Sequence, residues 1–206
     1  MKYYNQRRYP HIPYPQFMAF PDDPRCKEET VSDGGCGLCS ACMVVDHLTM
    51  KTLSVRECAR LSMEHLANHG DGTDMTVLGP VIAEKYGLEY AASDDIKAAM
   101  ETVRDGGRVI ALVKGSTPER RGIFSNGGHF VLIISAAEDE ICILDPNWSE
   151  KKYAAAAEAG LIRMDGCFLY APGELLHRET MVPNPDYLDK PGYYLFRRRS
   201  RCESER

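Results

Sequence analysis

The hydrophobic pattern of this 206-residue chain changes from a helical period to a strand period near residue 107. Before that point, apolar residues recur every three or four positions, over segments 36–50, 54–68, 74–86 and 94–104. After it they form short, β-branched runs, at 108–113, 129–134, 140–144, 167–170 and 193–197. Helices that come first and strands that follow predict an α+β domain, because the regular alternation of a parallel α/β fold is missing.

Capping residues define the ends of the predicted helices. Ser54 precedes the second helix, and Glu57 stands three residues later, which is the pattern of a capping box. Asp74 begins the third helix, which closes at Gly87 and which Pro80 bends or delays. The helices are therefore expected to be short and separated by tight connections.

The chain divides into an arm, a domain and a tail. Residues 1–30 are rich in proline, which forbids a long helix, and are predicted to be an N-terminal arm. Residues 31–199 are predicted to form one domain, entered through a flexible stretch at 31–35, and 200–206 form a polar tail. The alanine run 154–157 is predicted to be a short surface helix.

The charge and the apolar runs exclude some classes of function. The formal net charge is −5, and nucleic-acid binding requires a basic face, so we expect no nucleic-acid partner. No apolar run reaches the length of a membrane span, and residues 1–20 are too polar for a signal sequence. The chain as written is therefore expected in the cytoplasm, or outside the cell if a leader has been removed.

Cysteine is unusually frequent, with eight residues in the chain. In a cytosolic protein large enough to bury a core, these cysteines are not expected to form a disulfide framework. Cys58, Cys142 and Cys167 stand in apolar surroundings and are predicted to be small core residues. Apart from Cys26 and Cys202, that leaves Cys36, Cys39 and Cys42, spaced three residues apart, as the group that requires an explanation.

Cys36 follows Gly34-Gly35 and precedes Gly37, where a glycine-rich turn opens the first predicted helix. The free N–H groups and the positive end of a helix stabilise a thiolate and lower the pKa of such a cysteine. The flanking glycines leave room for a substrate carbonyl, and the N–H of Cys36 itself is a candidate donor to an oxyanion. Cys36 is therefore the candidate nucleophile.

A thiolate nucleophile requires a base, and a third group to orient that base. His129 begins a strand after a glycine pair, so its backbone would be fixed while its ring faces the loop side. Asp145 ends the next strand, and across a hairpin it would lie near residues 131–133. If Asp145 is to share a face with His129, the loop between the strands must contain an odd number of residues.

Three segments resemble a known family: GCGLCSACMV at 35–44, GHFV at 128–131, and Asp145-Pro146. They are similar to the papain-like cysteine peptidases related to the bacteriocin double-glycine leader peptidases, over roughly residues 30–150. The resemblance implies a papain-like fold, with an N-terminal helical half packed on an antiparallel sheet. It also implies a thiolate–imidazolium pair of Cys36 and His129 that cleaves a peptide or protein substrate without a cofactor or metal.

That family completes its oxyanion hole with a glutamine a few residues before the cysteine. Positions 28–31 contain none, and Gln16 stands too far upstream to match the spacing. Thr30, Ser32 and Asn126 are the candidates for a second donor beside the N–H of Cys36. The spacing does not choose among these three.

Two other readings of the sequence are open. The scaffold could be a catalytically inactive peptide-binding module, an alternative that the missing glutamine favours. The spacing of Cys36, Cys39 and Cys42 also occurs in iron–sulfur ligation, with Cys26 and Cys58 as further ligands, and Cys36-x-x-Cys39 occurs in redox proteins. A helix places such residues along one stripe, however, whereas a cluster needs ligands that converge.

Overall fold

The computed structural model describes residues 1–19, 22 and 29–199. Cys26 and the predicted tail at 200–206 lie outside the described residues. The helices of the described chain are α1 (Val31–Gly34), α2 (Cys36–Leu48), α3 (Val55–Glu64), α4 (Met75–Tyr86), α5 (Ile96–Arg104), α6 (Glu150–Glu158) and α7 (Gly173–Thr180). The strands are β1 (Leu88–Ser93), β2 (Arg108–Val113), β3 (His129–Ala137), β4 (Glu140–Leu144), β5 (Arg163–Asp165), β6 (Phe168–Pro172) and β7 (Tyr193–Arg198).

The strands form one antiparallel sheet in the order β1-β7-β2-β3-β4-β6-β5. The predicted α+β class, with a helical first half packed on an antiparallel sheet, is therefore confirmed. The central strands read as continuous apolar runs because both of their faces are covered. One face packs against α2 and the other against α5, α6 and α7.

Helix α2 lies at the centre of the helical half. Every residue from Cys36 to Val45 is buried, and a helix that is apolar all round belongs in a core. Its sheet-side neighbours include Leu112, Phe130 and Leu132. The stretch at 31–35, predicted to be flexible, is instead the short helix α1, and the Gly35 N–H donates to the Val31 carbonyl at 2.9 Å.

Other predicted boundaries hold with small shifts. Ser54 caps α3 through the Glu57 N–H, Asp74 caps α4, and Gly87 closes α4 in the left-handed conformation. Strand β1 was not predicted, since LEYAAS is rich in alanine and half exposed and lacks a clear apolar run. Helix α6 is longer than the alanine run and is not merely superficial, because Tyr153 in it is fully buried.

The proline-rich segment packs on the body of the protein. Tyr14 is fully buried, and its hydroxyl is 2.8 Å from both Ser62 Oγ and Thr73 Oγ1. The Val31 N–H donates to the Ile12 carbonyl at 2.9 Å. These contacts fix the N-terminal segment beside the start of α2. In the described part of the chain, no helix has the length and apolarity that a membrane span needs.

Candidate active site

Cys36 is the first residue of α2 and is only 8% exposed. The following position must be glycine, because a Cβ on Gly37 would lie 2.7 Å from Thr73 Cβ and 3.1 Å from the Phe130 ring. This close approach presses the start of α2 onto the start of β3. The Phe130 N–H consequently points at the Cys36 sulfur, with a nitrogen–sulfur distance of 3.5 Å.

His129 lies between Cys36 and Asp145. Its Nε2 is 2.6 Å from Asp145 Oδ1, and its ring lies beside the Cys36 thiol, so that each group shifts the pKa of the other. Because Nε2 is engaged by the carboxylate, Nδ1 is the nitrogen left for the sulfur. The three residues singled out in the sequence are thus brought together, in the order thiol, imidazole, carboxylate.

The carboxylate of Asp145 is fully buried and its acceptor positions are filled. Oδ1 accepts from His129 Nε2 and from the Asn147 N–H at 2.7 Å. Oδ2 accepts from Lys152 Nζ at 2.6 Å and from the Tyr153 hydroxyl at 2.7 Å. Lys152 and Tyr153 belong to α6, so this helix holds the carboxylate in one orientation against the imidazole.

A β-bulge places Asp145 and His129 on the same face of the sheet. The turn between β3 and β4 contains an even number of residues, since Ala137 pairs with Glu140, so the odd loop required from the sequence is not present. The register instead shifts by one residue between Ile133 and Ser135, and Leu132 then pairs with Leu144. The extra residue in β3 restores the parity that the loop lacks.

The electrostatics of the trio favour an ion pair. Burial raises the pKa of the Cys36 thiol, but the charge and hydrogen bond of His129 and the N–H groups of Phe130 and Gly37 outweigh it, so the net shift is downward. Burial lowers the pKa of His129, but Asp145 and Cys36 raise it to about 9. Burial likewise opposes ionisation of Asp145, and the partners His129 and Lys152 hold the pKa of that carboxyl well below its usual range.

A pocket of about 320 Å³ opens over this trio. Cys36 and His129 lie in its wall, and the N-terminal segment contributes Gln6 and Gln16. Gln6 is held by its own contacts: its Nε2 donates to the Ser32 carbonyl at 3.0 Å, and its N–H donates to the Pro146 carbonyl at 2.8 Å. The segment therefore closes one side of the pocket and links α1 to the loop after β4.

Gln16 is the residue that sequence spacing failed to select. It is 3% exposed, its Oε1 accepts from the Gly72 N–H at 2.9 Å, and its Nε2 has no hydrogen-bond partner among the described residues. That Nε2 lies against Gly34, where a Cβ would come within 1.3 Å of it. Gly34 thus makes room for this amide, a signal that the sequence contains but that spacing alone does not reveal.

The other predicted oxyanion donors lie elsewhere. The Thr30 N–H and hydroxyl both donate to Asp33 Oδ2, at 2.9 Å and 2.7 Å, in a capping box for α1. Asn126 is exposed, and its Oδ1 accepts from Ser116 and Arg121 outside the pocket. Ser32 lies in α1 and does not line the pocket. Of the predicted set, the pocket wall contains only Cys36.

The remaining cysteines of α2 face the core. Burial and the neighbouring thiol of Cys58 raise the pKa values of Cys39 and Cys42 well above the ordinary range. Cys58 Sγ contacts the Leu38 carbonyl at 3.6 Å. Within the described ranges, no three His, Cys, Asp or Glu side chains converge on a point where they could hold a metal ion.

Among known proteins, no family model matches the sequence, and no curated protein matches it. Similar solved structures include a protein from Bacillus anthracis described as a C39-like peptidase, with 14% identity and a TM-score of 0.49 over 82% of this chain and 90% of that one. Another is the peptidase domain of Streptococcus ComA, described as a bifunctional ABC transporter involved in quorum sensing. It has 17% identity and a TM-score of 0.38 over 68% of this chain and 93% of that domain.

Proposed function

We propose that this protein is a cysteine peptidase that hydrolyses an amide bond in a peptide or protein substrate. The observation that carries the proposal is the position of His129, which shares the pocket wall with Cys36, lowers the pKa of its thiol, and lies 2.6 Å from Asp145 on its other side. A nucleophile paired with a base, and a base oriented by a third group, is the general arrangement of covalent hydrolases.

Acylation begins from the thiolate–imidazolium pair. The Cys36 thiolate attacks the carbonyl carbon of the substrate, forming a carbon–sulfur bond and placing negative charge on the carbonyl oxygen. As this intermediate collapses, the carbon–nitrogen bond breaks, and the leaving amine takes the proton from His129 Nδ1. The acyl group remains on Cys36 as a thioester.

Deacylation uses the same imidazole in its neutral form. His129 takes a proton from water, and the resulting hydroxide attacks the thioester carbonyl. Collapse releases the carboxylic acid product and returns the thiolate, with the proton again on His129. Asp145, fixed by α6, keeps the imidazole in one orientation and stabilises its charged form through both halves of the cycle.

The oxyanion requires donors in the pocket wall, and we assign these to Gln16 Nε2 and the N–H of Cys36. Gln16 Nε2 is a buried amide donor without a partner among the described residues, in the same pocket as Cys36. A buried donor left unsatisfied in the free protein is costly, and a developing oxyanion would satisfy it. This assignment also removes the main reason for reading the chain as an inactive binding module, which was the absence of a glutamine.

The test is hydrolysis of a complex peptide mixture. The protein and its Cys36→Ala variant would each be incubated with a proteome-derived peptide library, and new termini would be counted by mass spectrometry. New termini are expected with the unaltered protein only, and their flanking residues would define the substrate.

Labelling of Cys36 by iodoacetamide would accompany the library assay. If the thiol reacts rapidly at neutral pH but no peptide in the library is cut, the inactive binding module becomes the better description. If the thiol is also no more reactive than an ordinary buried cysteine, the hydrolase proposal is wrong at its first step.

A further inference from the structure

A second depression, a groove of about 600 Å³, continues from the catalytic pocket. It runs between the loop at 121–127 and helix α6. Ser125 and Asn147 line both the pocket and the groove, so the two adjoin.

The groove is basic. Arg121, Lys151 and Lys152 line it, and its described lining contains no aspartate or glutamate. Lys152 is engaged by Asp145, but Arg121 and Lys151 are exposed and form no ion pair with a described carboxylate. Where the groove meets the pocket, Arg7 Nε contacts Asn147 Oδ1 at 2.5 Å and adds a further cation.

The rest of the cleft has the opposite charge. The catalytic pocket is lined by Glu29, Asp33 and Asp71 and by no lysine or arginine among the described residues. The chain as a whole carries a net charge of −5. The groove is therefore basic and the neighbouring pocket acidic, on a protein that is acidic overall. Opposite charges at its two ends would orient a charged substrate in the cleft.

The proposed peptidase chemistry, on which this inference rests, tells which end of the cleft holds which part of the substrate. The leaving amine takes its proton from His129, so the part of the substrate after the cut bond lies on the His129 side of Cys36. The groove lies on that side, because its lining includes Gly127, Asn147 and Lys152, neighbours of His129 and Asp145, and no residue of α2. We infer that the groove binds the substrate residues that follow the scissile bond and selects acidic side chains among them.

The test is a binding measurement with the full chain carrying Cys36→Ala, which does not depend on turnover. The probes are two fluorescein-labelled peptides, Gly-Gly followed by four glutamates and Gly-Gly followed by four glutamines. The glutamate peptide is expected to bind roughly tenfold more tightly at low salt, and the advantage should shrink as salt is raised.

Charge reversal localises the effect. Arg121→Glu with Lys151→Glu is expected to remove the roughly tenfold preference for the glutamate peptide. The matched control is Arg56→Glu with Lys97→Glu, which changes the net charge equally at exposed positions outside the groove. Lys97 and Lys151 are each the second residue of a helix, so the lysines of the two pairs are also matched in helix position.

Three results would overturn the inference: equal binding of both peptides, no measurable binding of the glutamate peptide at millimolar concentration, or equal losses in the groove and control variants. These outcomes leave the proposed function untouched, because that is judged by Cys36 labelling and by library hydrolysis. Conversely, a groove that selects glutamate in a protein that cuts nothing would support the binding module and its preference together.

Discussion

Helix α2 contains two regions that differ sharply in chemistry: its first residue, and its interior one and two turns later. Cys36, Cys39 and Cys42 are all buried cysteines on the same helix. Burial acts to raise the pKa of each thiol, yet the pKa of Cys36 is lowered while those of Cys39 and Cys42 are raised. Burial and residue type are shared, so neither explains the difference.

The difference comes from the partners. The Cys36 thiol lies beside the protonated imidazole of His129 and beside the backbone N–H groups of Phe130 and Gly37. All three favour the thiolate. The interior thiols meet the thiol of Cys58, and Cys42 also meets the carboxylate of Asp46, and both of these favour the neutral form. In this helix the pKa of a cysteine is lowered where the helix begins against a strand that supplies a cation, and it is raised in the interior.

The largest expected effect separates the two regions by substitution. Cys36→Ala should reduce peptide hydrolysis by at least about a thousandfold, because it removes the atom that forms the acyl intermediate. Cys39→Ala should leave hydrolysis within a few-fold and should cost about 1 kcal/mol of folding stability, through loss of buried volume. Steady-state rates and thermal unfolding of both variants measure this contrast, and an inactive but folded Cys39→Ala protein would contradict it.

A second prediction tests whether an oxyanion donor, in addition to the Cys36 thiol, distinguishes the start of α2 from its interior. Gln16→Ala should lower kcat by roughly a hundredfold, the scale for losing one oxyanion donor. Iodoacetamide labelling of Cys36 should hardly change, since alkylation at carbon develops no oxyanion.

Gln6→Ala is the matched control for Gln16→Ala, because Gln6 lines the same pocket while its amide donates to the Ser32 carbonyl. The kcat of the Gln6→Ala variant should fall much less than the kcat of the Gln16→Ala variant. Equal losses of kcat in the two variants would remove the oxyanion role from Gln16.

The smallest expected effect concerns pH. The folded pKa of Cys36 is lowered and that of His129 is raised to about 9, so the active ion pair exists between the two. The value of kcat/KM should therefore rise with pH as the Cys36–His129 pair loses its first proton and becomes the thiolate–imidazolium pair. It should then fall above about pH 9 as the imidazolium loses its proton, by up to tenfold per pH unit on each limb.

The variant His129→Asn should make Cys36 resemble the interior cysteines. Without the imidazole the pKa of its thiol should rise, and labelling at pH 7 should slow by up to roughly thirtyfold, the drop in thiolate fraction for a thiol that returns to the reference pKa of about 8.5. Mass spectrometry of the labelled protein would assign the reacting cysteine. An unchanged labelling rate would mean that the N–H groups at the start of α2, and not the imidazole, hold the thiolate.

Local patterns were enough to predict most of the elements. The apolar period changes once along the chain, and glycines, Ser54 and Asp74 mark helix ends by local backbone chemistry, so most boundaries hold within a few residues. Strands β1 and β5 and helix α7 escaped prediction, because their residues have weak intrinsic preferences and are ordered mainly by packing in or on the sheet. Such elements exist through contacts that are distant in sequence.

Part of the site was equally local. Cys36 between glycines at a helix start, His129 at the start of a strand and Asp145 at the end of its neighbour follow from short motifs. Their sequence positions therefore identified the trio. The face of the sheet on which Asp145 lies could not be predicted from the sequence, because it depends on one extra residue in β3 that no turn motif indicates.

By itself the sequence determined the α+β class, the helix that begins at Cys36 and the hairpin that carries His129 toward Asp145, since each depends on period, caps and turns within a few residues. The tertiary structure decided what surrounds them. It placed Gln16 from a proline-rich segment against Gly34, aligned Lys152 and Tyr153 on Asp145, and opened a basic groove beside the pocket. The physical reason is the distance over which each effect acts. Helix and strand propensities depend on neighbours in sequence, whereas charge, burial and hydrogen-bond satisfaction depend on neighbours in space.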